Sequence, residues 1–318
     1  MSTGSESNDL DREVDASMRM FEKSQVGPAA LISLIRPSRV LLALDGSPQD
    51  ETGVDAANYL RERFDTETLV IDARENGPTD QNDLAISRAD EISGARPIQR
   101  EGEESYNSIL TALKQHAVDL LIVPCPFGRP LEDVGTDSAG TVIDVLLSRC
   151  PKALLVIRRD DQRLSECADR VSMIVGDECE MEHRAAAWAL GLAAEGADVT
   201  LNLVIEQEQF ENIRAILEAI QPETQFEPEQ FSEALAKSHQ TLHGGMAKTA
   251  ASMGLNYQLR PIAGELAPPN PMRESSKMML VIPLEVDDRF EQGFAQDRIR
   301  RSPHPVLVVP GHVSEDAS

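Results

Sequence analysis

Short, continuous apolar runs recur along the chain, and each one stops at turn-forming residues. The first run, Arg39–Leu44, stops at Asp45-Gly46-Ser47-Pro48, and similar runs follow at Asp119–Pro124 and Ala153–Ile157. A run of this length between turn residues is typical of a strand that is buried on both faces of a parallel sheet. Segments with helical spacing of apolar residues separate the runs. The pattern therefore predicts an α/β fold in which helices cover both faces of a parallel sheet.

The same rhythm of strands and helices appears a second time. The run Val171–Val175 stops at Gly176-Asp177, and later runs follow at Met278–Ile282 and Pro305–Val309. This repetition predicts an internal duplication of the fold. We expect a flexible acidic N-terminal tail at 1–35, a first domain at 36–160 and a second domain at 168–312.

The composition is strongly acidic, with 54 Asp and Glu against 30 Lys and Arg and a net charge of -24. Such a surface repels nucleic-acid phosphates and anionic lipids, so neither is expected as a partner. No apolar run in the chain approaches the roughly 18 residues that a membrane helix needs. The four cysteines form no CxxC pair, and no metal site is predicted from them. We expect a cytoplasmic protein with reduced thiols.

Several segments of the first half resemble a known family when they are taken in order. They are Val40-Leu-Leu-Ala-Leu-Asp-Gly-Ser47, Asp119-Leu-Leu-Ile-Val123, and Gly140-Thr141-Val142 with the later pair Cys150-Pro151. This set resembles the opening strand, the fourth strand and the last helix of the universal stress proteins. The resemblance implies two tandem five-stranded parallel-sheet domains, Rossmann-like and similar to the adenine nucleotide α-hydrolases, packed as a pseudo-dimer.

The resemblance also implies a function, that of a stress-response binding or signalling module rather than an enzyme. Many members bind ATP, here expected as Mg-ATP. In them an Asp after the first strand contacts adenine, and a loop of pattern G-x2-G-x9-G-[ST] wraps the ribose and phosphates. Carried over to this chain, the implied nucleotide-binding residues are Ala43, Asp45, Ala73, Gly128, Arg129, Gly140, Thr141 and Val142.

The loop after the fourth strand departs from the family pattern. Pro124 and Phe127 stand at its first two glycine positions, and Pro124, Pro126 and Pro130 remove three N–H donors. A second interpretation is therefore a ligand-free protein-interaction scaffold in which the nucleotide sites have decayed. A third is a weak ATP-hydrolysing enzyme, for which Arg129 is the local cation.

The second half shows no comparable loop, because no glycine follows Ile282 until Gly293. We expect this half to supply the face against which the first half packs, or to hold a different ligand. A homodimer and an unidentified protein partner both stay open.

Two pairs of side chains suggest metal sites, and in each pair another interpretation is favoured. His239 and His243 have the spacing of a metal-binding helix, but a solvated helix face is the favoured interpretation. Asp45 and Asp72 end two predicted strands, where carboxylates can hold Mg²⁺ for a nucleotide. Turn or capping residues are the favoured interpretation there. No metal site is predicted.

Overall fold

A ten-stranded sheet forms the centre of the molecule in a computed structural model. The structure describes residues 29–75, 82–135, 138–176, 181–205, 207–220, 228–263 and 277–311. The strands of the first half are β1 (Arg39–Leu44), β2 (Glu67–Asp72), β3 (Arg96–Ile98), β4 (Leu120–Pro124) and β5 (Ala153–Ile157). Its helices are α1 (Gln49–Phe64), α2 (Asp83–Asp90), α3 (Ser105–Gln115), α4 (Leu131–Val134), α5 (Thr141–Arg149) and α6 (Leu164–Cys167).

The second half repeats the alternation of strands and helices. Its strands are β6 (Arg170–Val175), β7 (Asp198–Ile205), β8 (Asn256–Ala263), β9 (Met279–Leu284) and β10 (Val306–Pro310). Its described helices are α7 (Glu182–Leu192), α8 (Gln207–Ile220), α9 (Pro228–Ser238), α10 (Gln240–Met253) and α11 (Arg289–Arg301). None of the helices within the described ranges has the length and apolarity to cross a membrane.

The strand order across the sheet is β3-β2-β1-β4-β5-β10-β9-β6-β7-β8. Strands within each half pair in parallel, whereas β5 and β10 pair antiparallel, with Val306 opposite Val156. Each half is thus a five-stranded parallel sheet with the same internal order, and the halves are joined edge to edge by a pseudo-twofold relation. The predicted fold class is confirmed. The domain boundaries at 36–160 and 168–312 stay predictions.

Both faces of the sheet are buried, as the continuous apolar runs indicate. In β1, Val40 and Leu42 pack into the core on one face, and Leu41 and Ala43 pack into the core on the other. Helices α1, α2, α6, α7, α9 and α10 contribute to the first core. Helices α3, α5 and α11 contribute to the second. This arrangement leaves the carboxyl ends of the strands free to form loops.

Residues 29–35 form a segment that we call the N-terminal strap, and it packs on helices of the second half. The Ile32 N–H donates to Thr249 Oγ1 over 2.8 Å, and the Ile35 N–H donates to the carbonyl of Ala187 over 3.1 Å. The strap approaches α7 so closely that a Cβ added to Gly191 would lie 2.0 Å from the Ile35 carbonyl oxygen. Within the predicted tail at 1–35, Ile32 of the strap is buried whereas Leu31 is exposed, and the bounds of the tail stay a prediction. Residues 1–28 lie outside the described ranges.

Arg63 ties the first half to the second. Its Nη1 donates to the carbonyl of Leu192 over 3.0 Å, and its Nη2 donates to the carbonyl of Ala193. These carbonyls end α7, where the helix dipole favours a positive charge. The two halves are therefore held together by one shared sheet, by the strap and by a side chain that caps a helix of the neighbouring half.

Candidate functional site

The crevice between β1 and β4 lies at the centre of the first half. These strands are neighbours, and the helices that follow them pack on opposite faces, α1 in one core and α5 in the other. Open parallel sheets bind ligands at such points, beyond the carboxyl ends of the strands. The loops after β1 and β4 are therefore where a ligand site is expected.

A cavity of about 340 Å³ opens at this crevice. Its lining comprises Asp45, Arg74, Glu75, Phe127, Gly128, Arg129, Gly140, Thr141 and Val142. Six of the eight residues predicted to bind a nucleotide are thus brought together around one space. Ala43 and Ala73 do not line it, because both are fully buried in the core. Nucleotide binding by these residues stays a prediction.

Asp45 bridges the two loops of the crevice. Its Oδ2 accepts a hydrogen bond from the Gly128 N–H over 2.6 Å, and its Oδ1 accepts one from the Ser47 N–H over 2.9 Å. The carboxylate is largely buried, with 7% of the residue exposed. It keeps unused lone pairs, because a carboxylate can accept about four hydrogen bonds. Asp45 therefore closes the loop after β4 against the turn after β1 and can still accept a ligand donor.

Asp50 stabilises the turn after β1 by accepting hydrogen bonds from its backbone. Its carboxylate accepts hydrogen bonds from the N–H groups of Asp45 over 3.1 Å and Gly46 over 2.8 Å. Burial, followed by the negative charge of Asp45, raises the pKa of Asp50 well above its usual range. Gly46 has a φ of +81°, which a residue with a side chain rarely adopts. The hydrogen bonds to Asp50 and the left-handed conformation of Gly46 thus fix the position of Asp45 in the turn.

Asp72 pairs with Arg74 at the end of β2. It forms a two-point ion pair with Arg74, with Nε donating to Oδ1 over 2.9 Å and Nη2 donating to Oδ2 over 2.6 Å. No group of three or more His, Cys, Asp or Glu side chains that could hold a metal ion occurs in the described part of the chain. Sequence reasoning missed Arg74, although a cation two residues after a strand-ending Asp is a usable signal.

The loop after β4 ends at the N-terminus of α5. Gly140 occupies the N-cap position with a φ of +92°, and no side chain caps the helix. The first hydrogen bond of the helix runs from the Asp144 N–H to the Gly140 carbonyl over 3.1 Å. The N–H groups of the first turn therefore have no partner within the helix, which is the usual arrangement at an anion-binding helix end.

Arg158, the residue directly after β5, lies beneath this loop and is 4% exposed. Its Nη1 donates to Cys125 Sγ over 3.3 Å and to the Ser138 carbonyl over 3.4 Å, and its Nη2 donates to the Gly135 carbonyl. Sequence reasoning assigned Arg158 no role, because a charged residue after a final strand is usually exposed.

A second, larger cavity of about 570 Å³ adjoins the first at Asp45 and Gly128. It is bounded by the turn after β1, by the residues from Gly128 to Glu132, and by Arg159 and Asp160. Asp45, Gly128 and Arg129 line both cavities. Arg129 is exposed and can therefore face a ligand in either one.

The described residues of the second half do not include counterparts of Asp45 and Arg158. The residue directly after β6 is Gly176, where the first half has Asp45, and the residue after β10 is Gly311, where the first half has Arg158. Both β4 and β9 carry a proline near their carboxyl ends, Pro124 and Pro283. The turn residues 177–180 lie outside the described ranges. The described strand ends of this half thus offer neither the acceptor nor the buried cation of the first half.

The two histidines with metal-like spacing face different partners. His239 is 4% exposed and lies 3.3 Å from the Glu182 carboxylate on α7, so the favoured solvated helix face is wrong for it. His243 Nδ1 lies 3.0 Å from the Tyr257 hydroxyl, and the two rings stack with centroids 5.6 Å apart. The spacing of four residues does not place the two histidines within one helix, because α10 begins at Gln240, after His239.

Three of the four cysteines are described, and all three are buried free thiols. Burial raises the pKa of Cys125 to about 11, and those of Cys150 and Cys167 to about 12. The described thiols are therefore protonated at neutral pH. Cys179 lies outside the described ranges.

Comparison of the fold with solved structures finds universal stress proteins. One from Archaeoglobus fulgidus DSM 4304 is 13% identical with a TM-score of 0.54, covering 87% of this chain and 97% of that one. A putative universal stress protein from Pseudomonas aeruginosa UCBPP-PA14 is 15% identical with a TM-score of 0.56, covering 86% and 93%. A functionally unknown protein from Pseudomonas aeruginosa PAO1 is 14% identical with a TM-score of 0.55, covering 87% and 93%.

The sequence itself matches no protein-family model and no curated protein. The likeness therefore concerns the fold. It extends over both halves, since most of this chain and most of each similar structure are covered. The resemblance stated from the sequence is confirmed at this level. The chain has the fold of the universal stress proteins.

Proposed function

We propose that the protein is a universal-stress-type binding module that takes one adenine nucleotide, as Mg-ATP, in its first half. The single observation that carries the proposal is the smaller cavity, which gathers Asp45, Gly128, Gly140 and Thr141 from two separate loops. Its volume of about 340 Å³ falls at the lower end of the range for small-molecule sites.

The chemistry of the lining suits the parts of a nucleotide. The Asp45 carboxylate is an acceptor for the amino group of adenine. The N-terminus of α5, opened by Gly140 and Thr141, offers N–H groups to phosphate oxygens. Arg129 adds a positive charge at the rim. Mg²⁺ would arrive bound to the phosphates, because Asp72 is already paired with Arg74.

The second half acts in this proposal as a structural partner. It pairs β10 with β5, accepts the strap and receives the Arg63 cap. Its described strand ends carry Gly176 and Gly311 in place of the charged residues of the first half. We therefore expect one ligand per chain rather than two.

A protein-interaction scaffold without a ligand is the second candidate function. The observation that favours it is the bond between Asp45 and the Gly128 N–H, since this donor would otherwise be free for a ligand. The prolines of the loop reduce the supply of N–H donors further. In this case the loop after β4 is a closed structural element, and protein partners would bind elsewhere.

Calorimetric titration with Mg-ATP distinguishes the two candidates. The test variant is Thr141→Asp, which places a negative charge at the exposed first position of α5. The charge favours the helix N-terminus but repels phosphate, so the fold should persist while ATP binding is lost. The control is Thr241→Asp, an exposed residue in the first turn of α10 in the second half. No heat of binding to the wild type at millimolar ATP would favour the scaffold.

A further inference from the structure

The larger cavity of the first half carries a buried polar side chain that the proposed nucleotide site does not use. Gln49, the first residue of α1, lines this cavity and is 5% exposed. Its Nε2 donates to the Arg158 carbonyl over 3.2 Å, which fixes the orientation of the amide, because a carbonyl can only accept. The Oε1 atom is buried and has no hydrogen-bond partner among the described residues. A buried acceptor without a partner is costly, so a donor from a ligand would stabilise it.

A second unpaired oxygen belongs to the residue two positions earlier in the chain. Ser47 also lines the larger cavity, and its Oγ is buried without a partner in the described part of the chain. The N–H group of Ser47 is already bonded to Asp45, so its hydroxyl is the group that can bind a ligand. A hydroxyl both donates and accepts, whereas Gln49 Oε1 only accepts. Two hydroxyl groups of one ligand would therefore satisfy both atoms.

Hydrogen bonds hold the walls of the larger cavity in place. The loop after β4 is tied to Asp45 through the Gly128 N–H. The turn after β5 is tied to α1 twice, through the Gln49 amide and through Thr52, whose Oγ1 donates to the Asp160 carbonyl over 2.8 Å. The volume of about 570 Å³ lies within the range for small-molecule sites, which are usually formed before the ligand binds.

The charges of the lining nearly cancel, which favours a neutral ligand. The charged lining residues are Asp45, Glu132 and Asp160 on the acidic side and Arg129 and Arg159 on the basic side. A ligand with a net charge would therefore gain little Coulombic energy from these groups together. The apolar lining residues are Pro48, Pro130 and Leu131. The C–H groups of a sugar ring or a polyol can pack on such a surface while the hydroxyl groups bind the polar atoms.

From these contacts we infer that the larger cavity is a second binding site, which takes a neutral polyhydroxyl ligand such as a monosaccharide or a cyclic polyol. One hydroxyl of the ligand donates to Gln49 Oε1, and another bonds to Ser47 Oγ. The two cavities share Asp45, Gly128 and Arg129, but Gln49 and Ser47 line the larger one and not the smaller one. The site is therefore separate from the nucleotide site, and both ligands can be bound at once.

Saturation-transfer NMR with D-glucose, D-galactose, D-mannose and myo-inositol tests the inference. We expect at least one of the four to bind the wild type, with an affinity that falls about tenfold in Gln49→Leu, which removes the acceptor. Ser47→Ala should lose about threefold, and it retains the backbone bond to Asp45, so it tests the site even if Gln49→Leu does not fold. The matched control is Gln240→Leu, which changes the exposed first residue of α10 and should bind as the wild type does.

No transfer to any of the four compounds in the wild type, or unchanged binding in both variants, overturns the inference. Tighter binding of D-glucuronate than of every neutral compound would contradict the neutral ligand class.

Addition of Mg-ATP separates this inference from the proposed function. A compound that stays bound at saturating Mg-ATP supports a separate site. Displacement by Mg-ATP would assign the compound to the nucleotide site and overturn the inference. If the wild type binds no ATP, the proposed function fails, while binding that depends on Gln49 still supports the site in the larger cavity.

Discussion

The two halves of the chain share one strand order but differ at the ends of their strands. In the first half, β1 is followed by Asp45 and β5 by Arg158, and the loops between them enclose two cavities. In the second half, the same positions hold Gly176 and Gly311. The second half instead contributes α7 and α10, on which the strap of the first half packs.

This difference distinguishes the residues that stabilise the fold from the residues that could form a binding site. Both halves keep the apolar strand interiors, because burial on both faces stabilises the sheet in each. Among the described strand ends, buried charged residues occur in the first half, at Asp45, Asp72 and Arg158, and burying a charge is costly unless it is paired or hydrogen-bonded. We therefore regard the first half as the binding half and the second as its structural partner. Each of the following predictions probes one contact on which this comparison depends.

The largest effect is expected where the strap meets the second half. Gly191→Ala would place a Cβ 2.0 Å from the Ile35 carbonyl oxygen, so the strap or α7 must move. We expect a loss of about 1–3 kcal/mol in the free energy of unfolding, measured by urea denaturation. Gly293→Ala in α11 is the matched control, because a Cβ there meets nothing within 4 Å. That change should raise stability by up to about 1 kcal/mol, since alanine favours helices.

If both glycine variants raise stability equally, the strap does not lie on α7. Limited proteolysis gives an independent readout, because a strap released by Gly191→Ala becomes a substrate for cleavage near Ile32 and Ile35. The wild type and Gly293→Ala should resist cleavage there.

A smaller effect is expected at the cap between the halves. Arg63→Ala leaves the carbonyls of Leu192 and Ala193 without their charged donor. We expect the free energy of unfolding to fall by about 1–2 kcal/mol. Arg61→Ala on the same helix is the control, since no hydrogen bond from the Arg61 side chain is found among the described residues. Equal effects of the two variants in urea denaturation would argue against a cap that couples the halves.

The smallest effect is a pH dependence at the seam between β5 and β10. His304 is 3% exposed, and burial, followed by the charge of Arg159, lowers its pKa from 6.5 to about 4, while Asp161 acts in the opposite direction. The unfolded chain therefore binds more protons between pH 6.5 and 4. Stability from His304 is present above pH 6.5 and is lost as the pH falls toward 4.

His304→Gln should flatten this part of the stability profile, because glutamine does not titrate. The measurement is the free energy of unfolding at several pH values between 7 and 4.5. His183→Gln, which changes an exposed histidine in α7, should leave the slope as in the wild type. An unchanged slope in His304→Gln would show that this side chain is accessible to protons in the folded protein.

Strand positions could be predicted from the sequence because their signal is local. The run Arg39–Leu44 is β1 as predicted, and the predicted strand at 119–124 differs from β4 by one residue. Burial on both faces demands an unbroken apolar run, and turn residues mark its end. The same local signal placed Asp45 at the strand end and Gly140 and Thr141 at the start of α5.

The strap and Arg158 could not be predicted, because their roles depend on distant contacts. Ile32 donates to Thr249, which is 217 residues away, and an extended apolar segment has no periodicity that reveals its partner. Arg158 occupies a position where arginine is usually exposed, and only the folded loop shows what it contacts. The histidine spacing failed for a similar reason, since the start of α10 separates His239 from His243.

The number of adenylates bound per chain tests the central claim most directly. Native mass spectrometry of the wild type with ATP and Mg²⁺ should show one adenylate on each chain, absent from Thr141→Asp and retained by Thr241→Asp. This result would assign ligand binding to the first half and leave the second as its structural partner. Two adenylates per chain, or one that persists in Thr141→Asp, would contradict the division of roles between the halves.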